Sequence, residues 1–192
     1  HSLHSGMFIR DVLGAEWSLS ENLALYHHKP AAMPEHSRLA KIVTLADWLS
    51  SGERTDREGE GAGNPNQDPM VAIFSQLTLN KNENTAKHYF PLNPLDPELT
   101  DCFPQPQAAT VNPTTAYCKM WDSFCQDCAS LSRNYDLLQE QLLSLLEKYT
   151  LFIPSAVYRQ EADLSLFHHM KTTAALAACL YDMNWSEDKL DQ

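Results

Sequence analysis

Apolar residues near the start of the chain recur at helical intervals. Leu3, Met7, Phe8 and Val12 mark a short first helix, and Gly14 stands where a left-handed residue would close it. Ser18 or Ser20 can cap a second helix through Leu23, Ala24 and Tyr26, which ends on His27-His28 before Lys29-Pro30. A third helix is predicted from near Pro34. It carries Leu39, Ile42, Val43, Ala46 and Leu49 on one face, with Asp47 at the margin of that face.

The stretch 50–69 is rich in Gly, Asn and charge and poor in apolar side chains, so burial cannot offset its ordering entropy. It reads as a mobile loop. Val71, Ile73, Phe74, Leu77 and Leu79, then Tyr89-Phe90, alternate in part and are separated by turn-forming Asn residues, which predicts a small β-ribbon. Prolines at 91, 94, 97, 104, 106 and 113 preclude a long helix there and predict an extended connector. Beyond it, Tyr117, Trp121, Phe124, Cys128 and Leu131 form a helical stripe, continued after Asn134 by Leu138, Leu142, Leu145 and Tyr149. These are one kinked helix or two in succession. A last helix is predicted over 163–183, where Ala174, Ala177, Ala178 and Tyr181 permit close packing. The class is mainly α with a small β-ribbon and loop insertion, and 192 residues suffice for one main domain.

Composition narrows the function. Hydrophobic residues make up 43% of the chain, enough for a core, and no apolar run approaches the ~18 residues that span a bilayer. Neither a basic segment nor an apolar one opens the chain, so no secretory signal is read and the expected location is cytoplasmic. Five cysteines are an odd set and predict reduced thiols rather than a disulfide framework. Cys125 and Cys128 form a Cys-x-x-Cys, but no second pair follows at zinc-ribbon spacing, and Cys128 belongs to the stripe of Trp121 and Phe124. A net charge of −11 excludes a simple basic clamp on nucleic acid, since 14 Lys and Arg face 25 acids. A bound divalent metal would reverse that sign locally and leave phosphodiester chemistry open.

The candidate chemistry lies in the histidines and one aspartate. His1 and His4 are one helical turn apart, His27-His28 ends the second helix, and Asp47 sits on the third. Imidazoles and a carboxylate brought together from three helices suit divalent ions that polarise a phosphate and acidify water. The same residues also allow a purely structural role. A His pair at a helix C-terminus interacts favourably with free carbonyls, and an Asp beside a core stripe can bond locally.

Resemblance adds to this. LAKIVTLADWLSSGER at 39–54, preceded by LYHHK at 25–29, resembles the second half of the HD domain in the large signature subunit of type III CRISPR effector complexes, of the III-A kind. IPS at 153–155 followed by DLSLFHHMKTTAALAACLYDM at 163–183 resembles a later signature of the same family, and KHYFPLNP at 87–94 is compatible with its insertion. The resemblance implies an HD-type metallophosphohydrolase fold. HD helices would lie at 1–50, the loop, ribbon and connector at 51–112, and the helical remainder of the domain at 113–192, leading to a palm domain. It implies divalent metal, manganese, nickel or similar, held by His1, His27, His28 and Asp47, with Asp47 and His28 as catalytic residues. The implied substrate is single-stranded DNA, and the implied partners are other effector subunits and a guide RNA. His4, His168, His169 and Lys171 are placed near the cleft without an assigned role.

The Leu-His-Asp-Ile-Gly-Lys segment that names the HD family does not occur here and would belong just before His1, and a two-metal site needs its dyad. Nor does a Gly-Gly-Asp-Asp occur, so nucleotide cyclisation is not assigned. Two function classes follow: a metal-dependent nuclease region, and a degenerate HD scaffold that packs on palm domains and neighbouring subunits. A free-standing nucleotide phosphohydrolase of the same superfamily fits the 163–183 signature less well.

Overall fold

The computed structural model describes residues 2–33, 35–52, 69–78, 86–96, 102–106, 113–155 and 162–190. The chain is mainly α, as expected. Among the described residues no helix is long and apolar enough to cross a membrane. The chain divides into two compact units, one of His1–Glu53 with Met170–Gln192 and one of Arg54–His169.

The first unit opens with α1 (Ser2–Phe8), which widens into a π turn over Ile9–Leu13. Gly14 ends it at φ 114° and ψ 167°, a conformation open to glycine but not the left-handed helical cap expected. A single 3-10 turn, Ala15–Trp17, leads into α2 (Ser18–Tyr26). Trp17 occupies the N-cap without a side-chain hydrogen bond, so neither Ser18 nor Ser20 caps this helix. The two helices approach closely because residue 6 is glycine: a Cβ there would lie 2.6 Å from Leu25 Cδ2.

Helix α3 (Ser37–Ser51) begins three residues later than Pro34 suggested, after His36 turns the backbone at φ 60°. Its buried positions are Ala40, Ile42, Thr44, Ala46 and Ser50, whereas Leu49 of the expected face is 52% exposed. Ile42 and Ala46 pack with Leu180 and Leu190, surrounded by Leu39, Leu45, Leu176, Ala177 and Trp185. Leu176, Ala177, Leu180, Trp185 and Leu190 lie on or beside α6 (Leu166–Asp182) and α7 (Glu187–Leu190). Polar contacts fix the start of α3 to the same region. Ser37 Oγ donates to Glu187 Oε1 at 2.8 Å, Arg38 Nε donates to the Trp185 carbonyl at 2.9 Å, and Lys41 pairs with Glu187 at 3.3 Å. Of the residues expected to pack α6, Ala177 joins the cluster, while Ala174, Ala178 and Tyr181 are exposed.

In the second unit the stripe after the connector becomes two helices, α4 (Pro113–Cys128) and α5 (Tyr135–Thr150). The break is made by Asn134, whose side chain accepts from the backbone N–H groups of Asp136 and Leu137 as an N-cap. Phe124 meets Tyr149 edge to face at 5.5 Å, and Asp127 accepts from Lys148 Nζ at 2.9 Å and Tyr149 Oη at 2.8 Å. Those two donors hold the Asp127 carboxyl below its ordinary pKa. Trp121, expected in the core, is about half exposed.

The expected ribbon survives among the described residues only as isolated antiparallel bridges, Val71 to Tyr89 and Tyr89 to Gln105. No ladder forms there. Ile73–Gln76 turn as a short 3-10 segment, leaving Ile73, Phe74 and Leu77 exposed, and Pro91, Pro104 and Pro106 have no N–H to extend the pairing. The loop expected over 50–69 is helical to Ser51, and its stretch 53–68 lies outside the described residues, as does Leu79.

Among the described residues the Cys-x-x-Cys joins no set of three metal-ligating side chains. Cys128 is buried, and burial, with Cys125 and Asp127 nearby, pushes its thiol up to about 11, while burial also raises Cys125. Both shifts disfavour the thiolate, the reactive form of cysteine. Cys118 and Cys179 are exposed. N-ethylmaleimide at neutral pH is therefore expected to modify Cys118 and Cys179 at least about tenfold faster than Cys128, read by peptide mass spectrometry. Equal rates at Cys128 and Cys118 in the folded protein would contradict this burial.

Candidate metal centre

Helix α2 ends at Tyr26, shortly before Pro30, whose ring cannot continue a helix, and the two histidines directly follow its last residue, with Lys29 between them and the proline. His27 is the C-cap. Its backbone N–H donates to the Leu23 carbonyl at 3.1 Å, and its ring Nδ1 lies 2.8 Å from the Ala24 carbonyl oxygen. A carbonyl only accepts, so Nδ1 carries the proton, and in the neutral ring the lone pair is on Nε2. This is the tautomer in which metal-binding histidines are commonly held, with the second ring nitrogen bonded to a carbonyl. The local role expected of a His at a helix end and the ligand role are thus compatible.

His28 follows directly, its ring centroid 3.9 Å from that of His27. The residue is exposed, but the desolvation its ring does suffer, followed by the nearby His27, lowers its pKa below the ordinary value. The Asp47 carboxylate pulls the other way. The lowered pKa favours the neutral ring, the form a metal requires.

Asp47 reaches this neighbourhood through α3. The Thr44 hydroxyl donates to the carbonyl of His27, tying the end of α2 to α3, and Asp47 lies three residues further along, on the adjoining helical surface. The Asp47 carbonyl accepts from Ser50 Oγ at 2.9 Å and Ser51 Oγ at 2.8 Å, and Ser50 Oγ is 2.7 Å from Thr173 Oγ1 on α6. Ser50 is 1% exposed, so this hydroxyl chain is internal. It links the Ala-Asp-Trp-Leu-Ser-Ser segment to the Thr-Thr-Ala-Ala segment, two stretches far apart in sequence.

The remaining candidates are placed as follows. His4 is exposed on α1. His1 lies outside the described residues. At the start of α6, Ser165 Oγ accepts from the His168 N–H at 3.2 Å as an N-cap; His168 is exposed and His169 buried. Lys171 is exposed on the same helix. Among the described residues no three His, Cys, Asp or Glu side chains converge as a metal set. The structure thus pairs His27 with His28 and puts Asp47 within electrostatic reach of His28, without closing a shell from these alone. Thr44, Ser50 and Thr173 were not among the sequence candidates. Their signal was hydroxyl side chains at core-facing helical positions.

No family model matches the chain. A protein of Methanocaldococcus jannaschii described as a CRISPR system single-strand-specific deoxyribonuclease Cas10/Csm1, subtype III-A, is 34% identical over 169 residues, covering 79% of this chain and 20% of that protein. A Mycobacterium tuberculosis protein of the same description is 27% identical, over 94% of this chain and 23% of its own length. The crystal structure of Csm1 from T. onnurineus superposes with a TM-score of 0.68 at 23% identity, over 97% of this chain and 25% of that one. A Csm1–Csm4 cassette in complex with cA4 gives 0.65 at 21% identity. The chain spans about a fifth to a quarter of the length of the relatives it matches, and the expectation drawn from its two signatures holds. On these matches, the chain belongs to the Cas10/Csm1 family of subtype III-A CRISPR systems.

Proposed function

We propose that this chain is the HD nuclease region of a type III CRISPR effector large subunit and cuts single-stranded DNA in antiviral defence. In this reading His27, His28 and Asp47, joined by His1, hold a divalent metal such as manganese or nickel. The observation that supports it is the imidazole pair: two adjoining rings at one helix end, His27 with Nδ1 bonded to a carbonyl, beside the helix that carries Asp47. The donor set of imidazole and carboxylate suits borderline and hard divalent ions. A divalent ion held there polarises a phosphate oxygen and acidifies water, the chemistry phosphodiester hydrolysis needs. His27 and His28 would supply nitrogen donors, and Asp47 the negative charge that retains the ion. With a net charge of −11 the protein meets DNA at a local site rather than along a basic face. Relatives solved as Csm1–Csm4 cassettes support a place beside other effector subunits; a guide RNA met through those subunits and a cytoplasmic location belong to the same proposal.

One observation favours a second reading: the described donors do not by themselves form a three-ligand set. On that reading the region is a degenerate HD scaffold packing on palm domains and neighbouring subunits. Cleavage of a fluorescent single-stranded oligonucleotide with added manganese or nickel, by this chain and by its full-length gene product, separates the two. The nuclease reading predicts metal-dependent cleavage that spares duplex DNA and is lost in His27→Ala. No metal bound and no cleavage by either preparation would leave the scaffold.

A further inference from the structure

Thr44 is 5% exposed, and its hydroxyl oxygen has two carbonyl acceptors within reach: that of Ala40, 2.8 Å away on its own helix, and that of His27 on α2. The two acceptors are not equivalent. The Ala40 contact adds to a carbonyl that already accepts the Thr44 backbone N–H inside the helix, whereas the His27 contact joins α3 to the end of α2. The hydroxyl therefore matters chiefly to His27. That residue is gripped at its N–H by Leu23, at its ring Nδ1 by Ala24 and at its carbonyl by Thr44. Pinning the carbonyl fixes the backbone from which the imidazole projects, and with it the bond that puts the proton on Nδ1.

We propose that Thr44 is a positioning residue, whose buried hydroxyl fixes the His27 imidazole with its proton on Nδ1 and its lone pair on Nε2. The part of this inference that concerns metal rests on the function proposed above; the part that concerns the ring does not. Valine matches threonine in shape but lacks the hydroxyl, and serine keeps the hydroxyl.

The test uses the metal-free 192-residue chain with nitrogen-edited NMR of the imidazole rings, followed by titration with Co2+ alone and its visible absorption. Wild type is expected to show one neutral His27 tautomer with the proton on Nδ1. Thr44→Val should show mixed tautomers and bind Co2+ about tenfold or more weakly, and Thr44→Ser should restore both. Thr173→Val removes a half-buried hydroxyl that meets Ser50 rather than the His27 carbonyl. It should lower the melting temperature yet leave the His27 ring signals unchanged. If the valine variant does not fold, Thr44→Ala replaces it. An unchanged tautomer in the hydroxyl-free variant overturns the proposal. A wild-type chain that binds no Co2+ sinks the metal reading alone, because the ring spectra still decide the role of Thr44.

Discussion

Asp47→Asn is expected to lower manganese-dependent cleavage of single-stranded DNA by roughly 100-fold or more, a larger loss than is usual for outer-shell changes. Asparagine keeps the shape and one oxygen of the side chain but removes the charge that holds a cation. The fold should not suffer. The contacts that Ser50 and Ser51 make with this residue go to its backbone carbonyl, which the substitution leaves in place. Unfolding free energy should therefore stay within about 0.5 kcal/mol of wild type. The carboxylate also raises the His28 pKa against burial and the neighbouring ring, so its removal should move the His28 titration further down, as NMR would show. Full cleavage by a well-folded Asp47→Asn variant would remove Asp47 from the site.

Ile42→Ala is expected to cost about 2–5 kcal/mol of stability. Ile42 is 2% exposed and sits at the centre of the cluster that joins α3 to α6 and α7. Truncation both loses the transfer free energy of the missing carbons and leaves a cavity that the surrounding helices fill only in part. Urea unfolding followed by tryptophan fluorescence reads the effect, because Trp185 packs on this cluster. A loss below about 1 kcal/mol would mean that α3 is held mainly by its polar contacts to Glu187 and Trp185. Since α3 carries both Thr44 and Asp47, the same variant should also weaken metal binding.

The sequence was most informative where chemistry and chain geometry coincide. Lys29-Pro30 forces α2 to stop, so the placement of His27-His28 at a helix end followed directly. Asn134, flanked by two apolar stripes, is a strong N-cap residue, and it does separate α4 from α5. The two family signatures were legible as motifs although no family model matches the chain. Periodicity was less reliable at the edges of faces. It gives the direction of an apolar stripe but not how far its neighbours cover it, and so it included Leu49 and Trp121, which are about half exposed. It also placed Ile73, Phe74 and Leu77 in a ribbon, where a 3-10 turn and nearby prolines prevent a ladder.

The hydroxyls that support the candidate site were the hardest part to read. Threonine and serine inside a helix are unremarkable by propensity, and only the fold reveals which carbonyl each one meets. Thr44 meets the end of α2, and Ser50 meets Thr173 across 123 positions of sequence. His1 lies outside the described residues, so its part in the ligand set is carried by the resemblance and not by geometry.

The most direct test of the account is whether imidazole nitrogen binds the ion. Pulsed electron paramagnetic resonance of Mn2+ added to the protein should show 14N modulation that weakens in His27→Ala and in His28→Ala. A bound Mn2+ with only water and carboxylate couplings, unchanged by either substitution, would contradict it.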